Sequence, residues 1–142
     1  MFRLGDEWLA IAAAAVAEVL PVPPIHSLPR RTRDVISGIV NVRGELLPCA
    51  WLARLFSRAD TSGAAPARQC LLVLALGDLH VACPVDDVFG MIRFHPRQIR
   101  PLPSTLEKAA ARFSAGLLAW EDRTVGVLDA DVLAQTLQSG LK

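Results

Sequence analysis

Two stretches of this 142-residue chain share one ordered pattern, and that repetition constrains the fold more than any other feature. Leu4-Gly5-Asp6 recurs as Leu76-Gly77-Asp78, 72 positions later. At the same offset Leu9-Ala10 corresponds to Val81-Ala82, Val16 to Val88 and Val19 to Met91. After two inserted residues Ile25 corresponds to Ile99 and Leu28-Pro29 to Leu102-Pro103; at an offset of 78, Gly38-Ile39-Val40 corresponds to Gly116-Leu117-Leu118. Two copies are too few for a solenoid. They predict two similar lobes related by a pseudo-twofold axis.

Each copy has the same grammar. A strand ends at Leu-Gly-Asp, residues that favour a tight turn. A second strand follows, Trp8 to Ala12 or Leu79 to Cys83, then a third, Val16 to Val22 or Val88 to Phe94. The proline-punctuated connections after them (Pro21, Pro23, Pro24 and Pro29; Pro96, Pro101 and Pro103) lack ladder donors and read as extended loops or edges. A hairpin closes each copy: Ile36 to Val42 with Glu45 to Cys49 around Arg43-Gly44, and Ala115 to Trp120 with Thr124 to Leu128 around Glu121-Asp122-Arg123. Five short strands at this spacing predict a small closed barrel. Helix propensity favours a helix over Ala12 to Glu18. The equivalent Cys83-Pro84-Val85-Asp86 holds a proline and fits a loop or short turn, so a helix is not expected, with room for a single helical turn.

Two short helices are expected. Trp51, Leu52, Leu55 and Phe56 form one stripe after the first copy. Asp129 to Leu137 closes the chain, with Leu128, Val132 and Leu133 inward and Asp129 or Asp131 at its N-terminal end. Thr105 to Arg112 reads as a short helix or an ordered loop. The fold expected is therefore all-β with two short helices, one domain over 1–142, made of two pseudo-symmetric five-stranded barrel lobes. One lobe takes 1–56 with 129–142, the other 69–128, and 57–68, rich in Ser, Gly, Ala and Pro, links them. Only Met1 to Leu4 precede the first turn, whereas an edge strand runs about 5 residues or more. The first strand thus reads as truncated, as in a chain cut from a longer one.

Composition narrows the function. A net charge of +1 argues against bulk electrostatic binding to DNA or acidic membranes. The apolar runs Trp8 to Ala17 and Leu71 to Gly77 are too short to cross a bilayer, and no secretory leader is evident, so a cytosolic protein is expected. The 13 arginines against two lysines, Lys108 and Lys142, are read as coding bias. Cys49, Cys70 and Cys83 cannot all pair and lie among apolar residues; they read as reduced, buried small hydrophobes. No phosphate-cradling glycine motif occurs. His26, His80 and His95 are far apart in sequence, Cys49 has no nearby histidine to act as its base, and Asp86-Asp87 and Glu121-Asp122 are explained as turn or loop residues. No catalytic residue, metal site or cofactor is assigned. The basic cluster Arg30, Arg31 and Arg33, with a looser one at Arg93, Arg97 and Arg100 beside Phe94, keeps open a small barrel that binds nucleic acid. An enzyme with a deep pocket of converging titratable groups is the third reading.

The ordered motifs resemble one family. Gly38-Ile39-Val40-Asn41-Val42-Arg43-Gly44-Glu45-Leu46-Leu47-Pro48 with Leu52 beyond is similar to the signature hairpin of CheW-like domains. Phe2 to Ile11, Val16-Ala17-Glu18-Val19, Val85-Asp86-Asp87-Val88, Gln98 to Pro103, the Gly116 hairpin and Asp129 to Leu133 extend the likeness along nearly the whole chain. Asn41 to Leu47 also resembles adapters of alternative, Wsp-type chemosensory systems. Ala12 to Ala15 departs from the family, where acidic or polar residues are usual. The resemblance implies two intertwined barrels and no enzymatic activity. It implies a cytoplasmic adapter, recruited to membrane-associated receptor arrays without inserting into the membrane. Its partners would be the cytoplasmic tip of a chemoreceptor and the regulatory domain of a CheA-type histidine kinase, with no nucleic acid. By the same resemblance Val16, Glu18, Arg43, Val88 and Met91 would form the receptor-binding groove, Arg43 pairing with Glu18. Gly38, Val85 and Phe89 would serve the kinase side, Gly38 also allowing tight strand packing.

Overall fold

The computed structural model describes residues 1–27, 36–52, 55, 70–102 and 113–140. Its strands are β1 (Phe2–Leu4), β2 (Glu7–Ala10), β3 (Val16–Pro21), β4 (Ile25–Ser27), β5 (Ile36–Val42), β6 (Glu45–Ala50), β7 (Cys70–Leu76), β8 (Leu79–Val85), β9 (Asp87–Val88), β10 (Ile99–Arg100), β11 (Ser114–Trp120) and β12 (Arg123–Leu128). The helix α1 spans Ala130–Gly140, and short 3-10 turns occupy Ala13–Ala15 and Pro96–Gln98.

The strands form two six-stranded sheets, ordered β10-β11-β12-β2-β1-β9 and β4-β5-β6-β8-β7-β3. Position by position the two orders are related by the repeat. Each sheet joins the first hairpin of one copy to the second hairpin of the other. The joins are the parallel pairs β12 to β2, with Gly126 opposite Leu9, and β6 to β8, with Cys49 opposite Ala82. Both sequence ranges, 1–56 and 69–128, therefore contribute strands to both sheets.

Three expectations change. The lobes are open sheets of six strands and not closed five-stranded barrels. The extra strand in each is the proline-flanked β4 or β10, which adds at an edge where a missing donor costs least. Of the strand expected over Val88 to Phe94 only Val88 is extended, at the end of β9, although its counterpart Val16–Pro21 is a strand throughout. Gly90 stands where the first copy has Glu18, and its φ of 122° is incompatible with extended pairing. Cys83, Pro84 and Val85 belong to β8 and not to a loop, with Pro84 opposite Leu71. The first strand is short, but it lies inside its sheet, paired with β2 on one side and β9 on the other. The Ala tract forms one 3-10 turn, the single turn for which the sequence left room, and then β3.

Burial explains the sequence pattern. β7 is apolar throughout because both its faces are covered. Leu72, Leu74 and Leu76 point into a central core shared with Phe2, Leu4, Leu9, Val81, Cys83 and Val85. Leu71 and Val73 point the other way, into a smaller core with Val40, Val42, Leu47 and Ala82. The matching core of the other sheet holds Ala10, Leu118, Val125 and Val127. The helix α1 seals the central core through Leu133 and Leu137, one turn apart on one face. It starts where the Asp129 side chain accepts hydrogen bonds from the backbone N–H groups of Asp131 (3.0 Å) and Val132 (3.2 Å). Such a cap contributes about 1 kcal/mol. Of the earlier helix, Leu52 and Leu55 lie among the described residues, and both join the central core. The expected segments 57–68 and Thr105 to Arg112 lie outside the described residues.

Candidate functional site

A groove of about 410 Å³ opens where the two copies meet. Val16 and Val19 of β3 line it, and so do their repeat counterparts Val88 and Met91. Met91 is 78% exposed, so the groove has a large apolar side chain at its lip. Ala12, Ala13, Ile92 and Phe94 complete much of the wall, and among the described residues no charged or polar side chain lines it. Val16, Val88 and Met91 are thus brought together along one groove. Ile92 carried no motif signal; Ala12 and Ala13 stood out only as a departure from the family pattern, and Phe94 only beside a basic cluster. The Val19–Met91 correspondence in the repeat was the signal for Val19.

One wall is held by backbone geometry. β9 pairs with β1, setting Val88 opposite Phe2, and the Phe89 N–H donates to the Met1 carbonyl (2.9 Å). The Asp86 carboxylate accepts the Gly5 N–H at 2.5 Å, and the Asp86 N–H donates to the Arg3 carbonyl at 3.0 Å. These bonds lock the start of the second-copy wall to the first turn of the first copy.

Glu18 lies on β3 between the groove residues Val16 and Val19. Its carboxylate meets the Arg43 guanidinium at 2.5 Å, and Arg43 is 81% exposed. Arg43 occupies the β5–β6 turn with φ of 53°, followed by Gly44 at 85°. That is a two-residue turn of the type that matches sheet twist. Asn41 Oδ1 accepts the Gly44 N–H at 2.8 Å and braces it. The proposed Glu18–Arg43 pair is therefore present. It leaves most of the Arg43 side chain open to solvent.

The three residues assigned to a second partner fall apart. Val85 is wholly buried in the central core. Gly38 is buried too: a Cβ there would sit 2.9 Å from Ile25 Cγ2 and 3.0 Å from the His26 carbonyl oxygen, so its role is close packing of β5 on β4. Neither exposes a side-chain surface. Phe89 is half-exposed. Its ring meets Trp8 edge-on at 5.4 Å, and the Arg123 guanidinium lies 4.1 Å from the Trp8 centroid and 5.1 Å from that of Phe89. Stacked aromatic and arginine groups of this kind are typical binding anchors. More than 80 residues separate Trp8 from Phe89 in sequence, and no local pattern signals their meeting.

The remaining chemistry is quiet. Among the described residues no cluster of His, Cys, Asp and Glu could hold a metal. His26 and His80 are exposed, and His95 caps the turn at Pro96–Gln98, its Nδ1 accepting the Arg97 N–H at 3.1 Å. Burial pushes the Cys49 thiol up to about 12. It raises the Cys83 thiol too, with a further push from Cys49. Both are inert small hydrophobes, as expected. Arg30, Arg31 and Arg33 lie outside the described residues. Among those described, no helix is long and apolar enough to cross a membrane.

Comparison with known proteins adds the last observations. The family model described as CheW-like domain matches residues 1–138. The chain is 28% identical over 131 residues to the chemotaxis protein CheW of Rhizobium meliloti, covering 92% of this chain and 82% of that protein. It is 30% identical over 136 residues to protein FrzA of Myxococcus xanthus, covering 95% and 83%. The crystal structure of the scaffolding protein TtCheW from Thermoanaerobacter tengcongensis matches with a TM-score of 0.74, at 21% identity, over 90% of this chain and 80% of that one. At that identity the likeness is one of fold.

Proposed function

The chain belongs to the CheW-like domain family, and from that premise we propose that it is a non-catalytic cytoplasmic adapter. It couples the cytoplasmic tips of chemoreceptors to a CheA-type histidine kinase, within arrays at the membrane. The observation that carries this reading is the groove. Both copies of the repeat supply its apolar walls, and the Glu18–Arg43 pair stands beside it. An apolar groove of this kind suits an amphipathic helix that buries one face. Val16, Val88 and Met91 are the receptor-facing anchors, and Arg43 is the charged group at their side. On the kinase side Phe89, backed by Trp8 and Arg123, is the exposed anchor.

The test is a calorimetric titration with the kinase regulatory domain, and another with a receptor-tip fragment, both from the same genome. The expected result is 1:1 binding with Kd on the order of micromolar. Arg43→Ala is expected to weaken receptor binding by about tenfold, while Tm moves by no more than a few degrees, because an exposed ion pair is worth at most about 1 kcal/mol. A folded protein that binds neither partner would overturn the adapter reading. A large drop in Tm would make Arg43 a structural residue instead.

A further inference from the structure

One face of the sheet formed by β11, β12 and β2 ends in a cluster that the fold does not require. Trp120 stands opposite Arg123 across the β11–β12 hairpin, and Trp8 stands opposite Val125, the next residue on Arg123's face of β12. Phe89, just beyond β9, reaches this face, and its ring meets Trp8 edge-on. The equivalent positions of the other sheet hold Val42, Glu45, His80 and Ala17. That sheet builds the same hairpin, the same turn (φ of 53° at both Arg43 and Glu121) and the same parallel join without an aromatic group at any of them. Two N–H groups of the cluster are orphaned. Arg123 Nη1 and Trp120 Nε1 are shut off from solvent, and neither has a hydrogen-bond acceptor. The guanidinium lies over Trp8 and Phe89, whose rings offset part of its charge but supply no lone pair to its N–H groups. Among the described residues no carboxylate pairs with Arg123; its chain neighbours Glu121 and Asp122 are exposed in the turn. A charged donor buried without an acceptor is costly, so the cluster is incomplete as it stands.

We propose that Arg123 is the charged half of the kinase-side surface, and that it receives a carboxylate, an Asp or Glu side chain of the kinase regulatory domain, beside Phe89 and Trp8. The inference rests on the kinase-side reading of Phe89 and supplies the chemistry of its partner. A carboxylate offers two acceptor oxygens that match two parallel guanidinium N–H groups. The two rings hold the guanidinium in place before the partner arrives, so little side-chain freedom is lost on binding. Arg123 is only partly buried and Phe89 is half-exposed, so a small shift of the Phe89 ring opens Nη1 to the incoming oxygen. The docked partner then closes the pair off from water, as at an energetic anchor. A nucleic-acid base is the poorer occupant. Trp8 has the guanidinium over its ring and Phe89 against it edge-on, which leaves no open slot between parallel rings.

The experiment is a calorimetric titration of the full chain with the kinase regulatory domain from the same genome, with receptor-tip binding and Tm measured on every variant. Arg123→Gln removes the charge, and Arg123→Lys keeps the charge but removes the fork. Each is expected to weaken kinase binding by about tenfold or more and to leave receptor-tip binding within about twofold. Replacing the regulatory domain's Asp and Glu residues one at a time by Asn or Gln is expected to find one whose effect vanishes in the Arg123→Gln background. If Phe89→Ala weakens kinase binding while both Arg123 variants bind as wild type, or if no partner carboxylate shows that coupling, the proposal fails and the kinase-side reading stands. If Phe89→Ala and both Arg123 variants leave kinase binding unchanged, or folded wild type does not bind the kinase domain, both fall. An equal loss of kinase and receptor binding with a drop in Tm makes Arg123 a structural staple and overturns the proposal. So does binding of single-stranded RNA, or self-association of the chain, that the Arg123 variants lose while kinase binding is unchanged.

Discussion

Cys49 and Cys83 show how burial alone sets chemistry at a single residue. Each lies in a strand interior where an ionised thiolate would lose its hydration, so each holds its proton far above the ordinary thiol value of 9.0. In the unfolded chain both ionise near that value. Between about pH 9 and the folded values the native state therefore binds more protons than the unfolded one. The stability due to the protonated thiols is complete below pH 9 and falls as pH rises through that window. The expected slope is on the order of 1 kcal/mol per pH unit for each thiol. With no tyrosine and only two lysines, few other groups titrate there. Urea unfolding at successive pH values above 8 is expected to show this decline, and Cys49→Ala/Cys83→Ala is expected to flatten it. An unchanged slope in the double variant would place the alkaline sensitivity elsewhere. The identity of these cysteines as buried hydrophobes was legible from their apolar neighbours. Their adjacency across β6 and β8 was not, because it depends on a parallel pairing between distant segments.

Between elements, the repeat is read most directly in the contact of β4 with β5 and of β10 with β11. Ile25 packs over Gly38, and Ile99 over Gly116. The second contact is tighter. A Cβ on Gly116 would collide with Ile99 Cγ2 and sit 2.7 Å from the Arg100 carbonyl oxygen, which is backbone and cannot swing away. Gly116→Ala is therefore expected to cost about 1–3 kcal/mol and to free β10 from the sheet edge. Gly38→Ala is expected to cost less, since both of its nearest contacts, an Ile25 methyl group at 2.9 Å and the His26 carbonyl oxygen at 3.0 Å, are longer. Thermal unfolding of the two variants checks the order, and equal losses would show that the backbone contact is not the deciding one. At this scale the hairpins were legible because their turns carry glycine or a short polar pair at fixed positions. The strand expected over Val88 to Phe94 was not, because one glycine at positive φ overrode the likeness to its counterpart.

For the whole molecule, the central core decides the folding unit. It draws Phe2, Leu4 and Leu9 from one sheet, Leu72, Leu74 and Val85 from the other, and Leu133 and Leu137 from α1. Neither sequence copy contains a complete sheet, because every sheet borrows a hairpin from the other copy. A fragment of residues 1–68 expressed alone is expected to show no cooperative unfolding, whereas the full chain unfolds in one transition. A cooperatively folded fragment would mean that the exchanged hairpin is dispensable. The same exchange creates the groove, since the seam where the copies interlock is where both can supply a wall.

The division between sequence and tertiary structure follows from range. Strand alternation, turn residues, the helix cap at Asp129 and the repeat itself are encoded within a few residues of each other or by direct correspondence. They determined an all-β chain of two related halves and its likeness to one family. Which hairpin pairs with which depends on burial of faces separated by dozens of residues. So do the Trp8–Phe89–Arg123 stack and the burial of Val85 and Gly38. Only packing decides these, because a strand's partner is chosen by the surface it must cover and not by its own sequence.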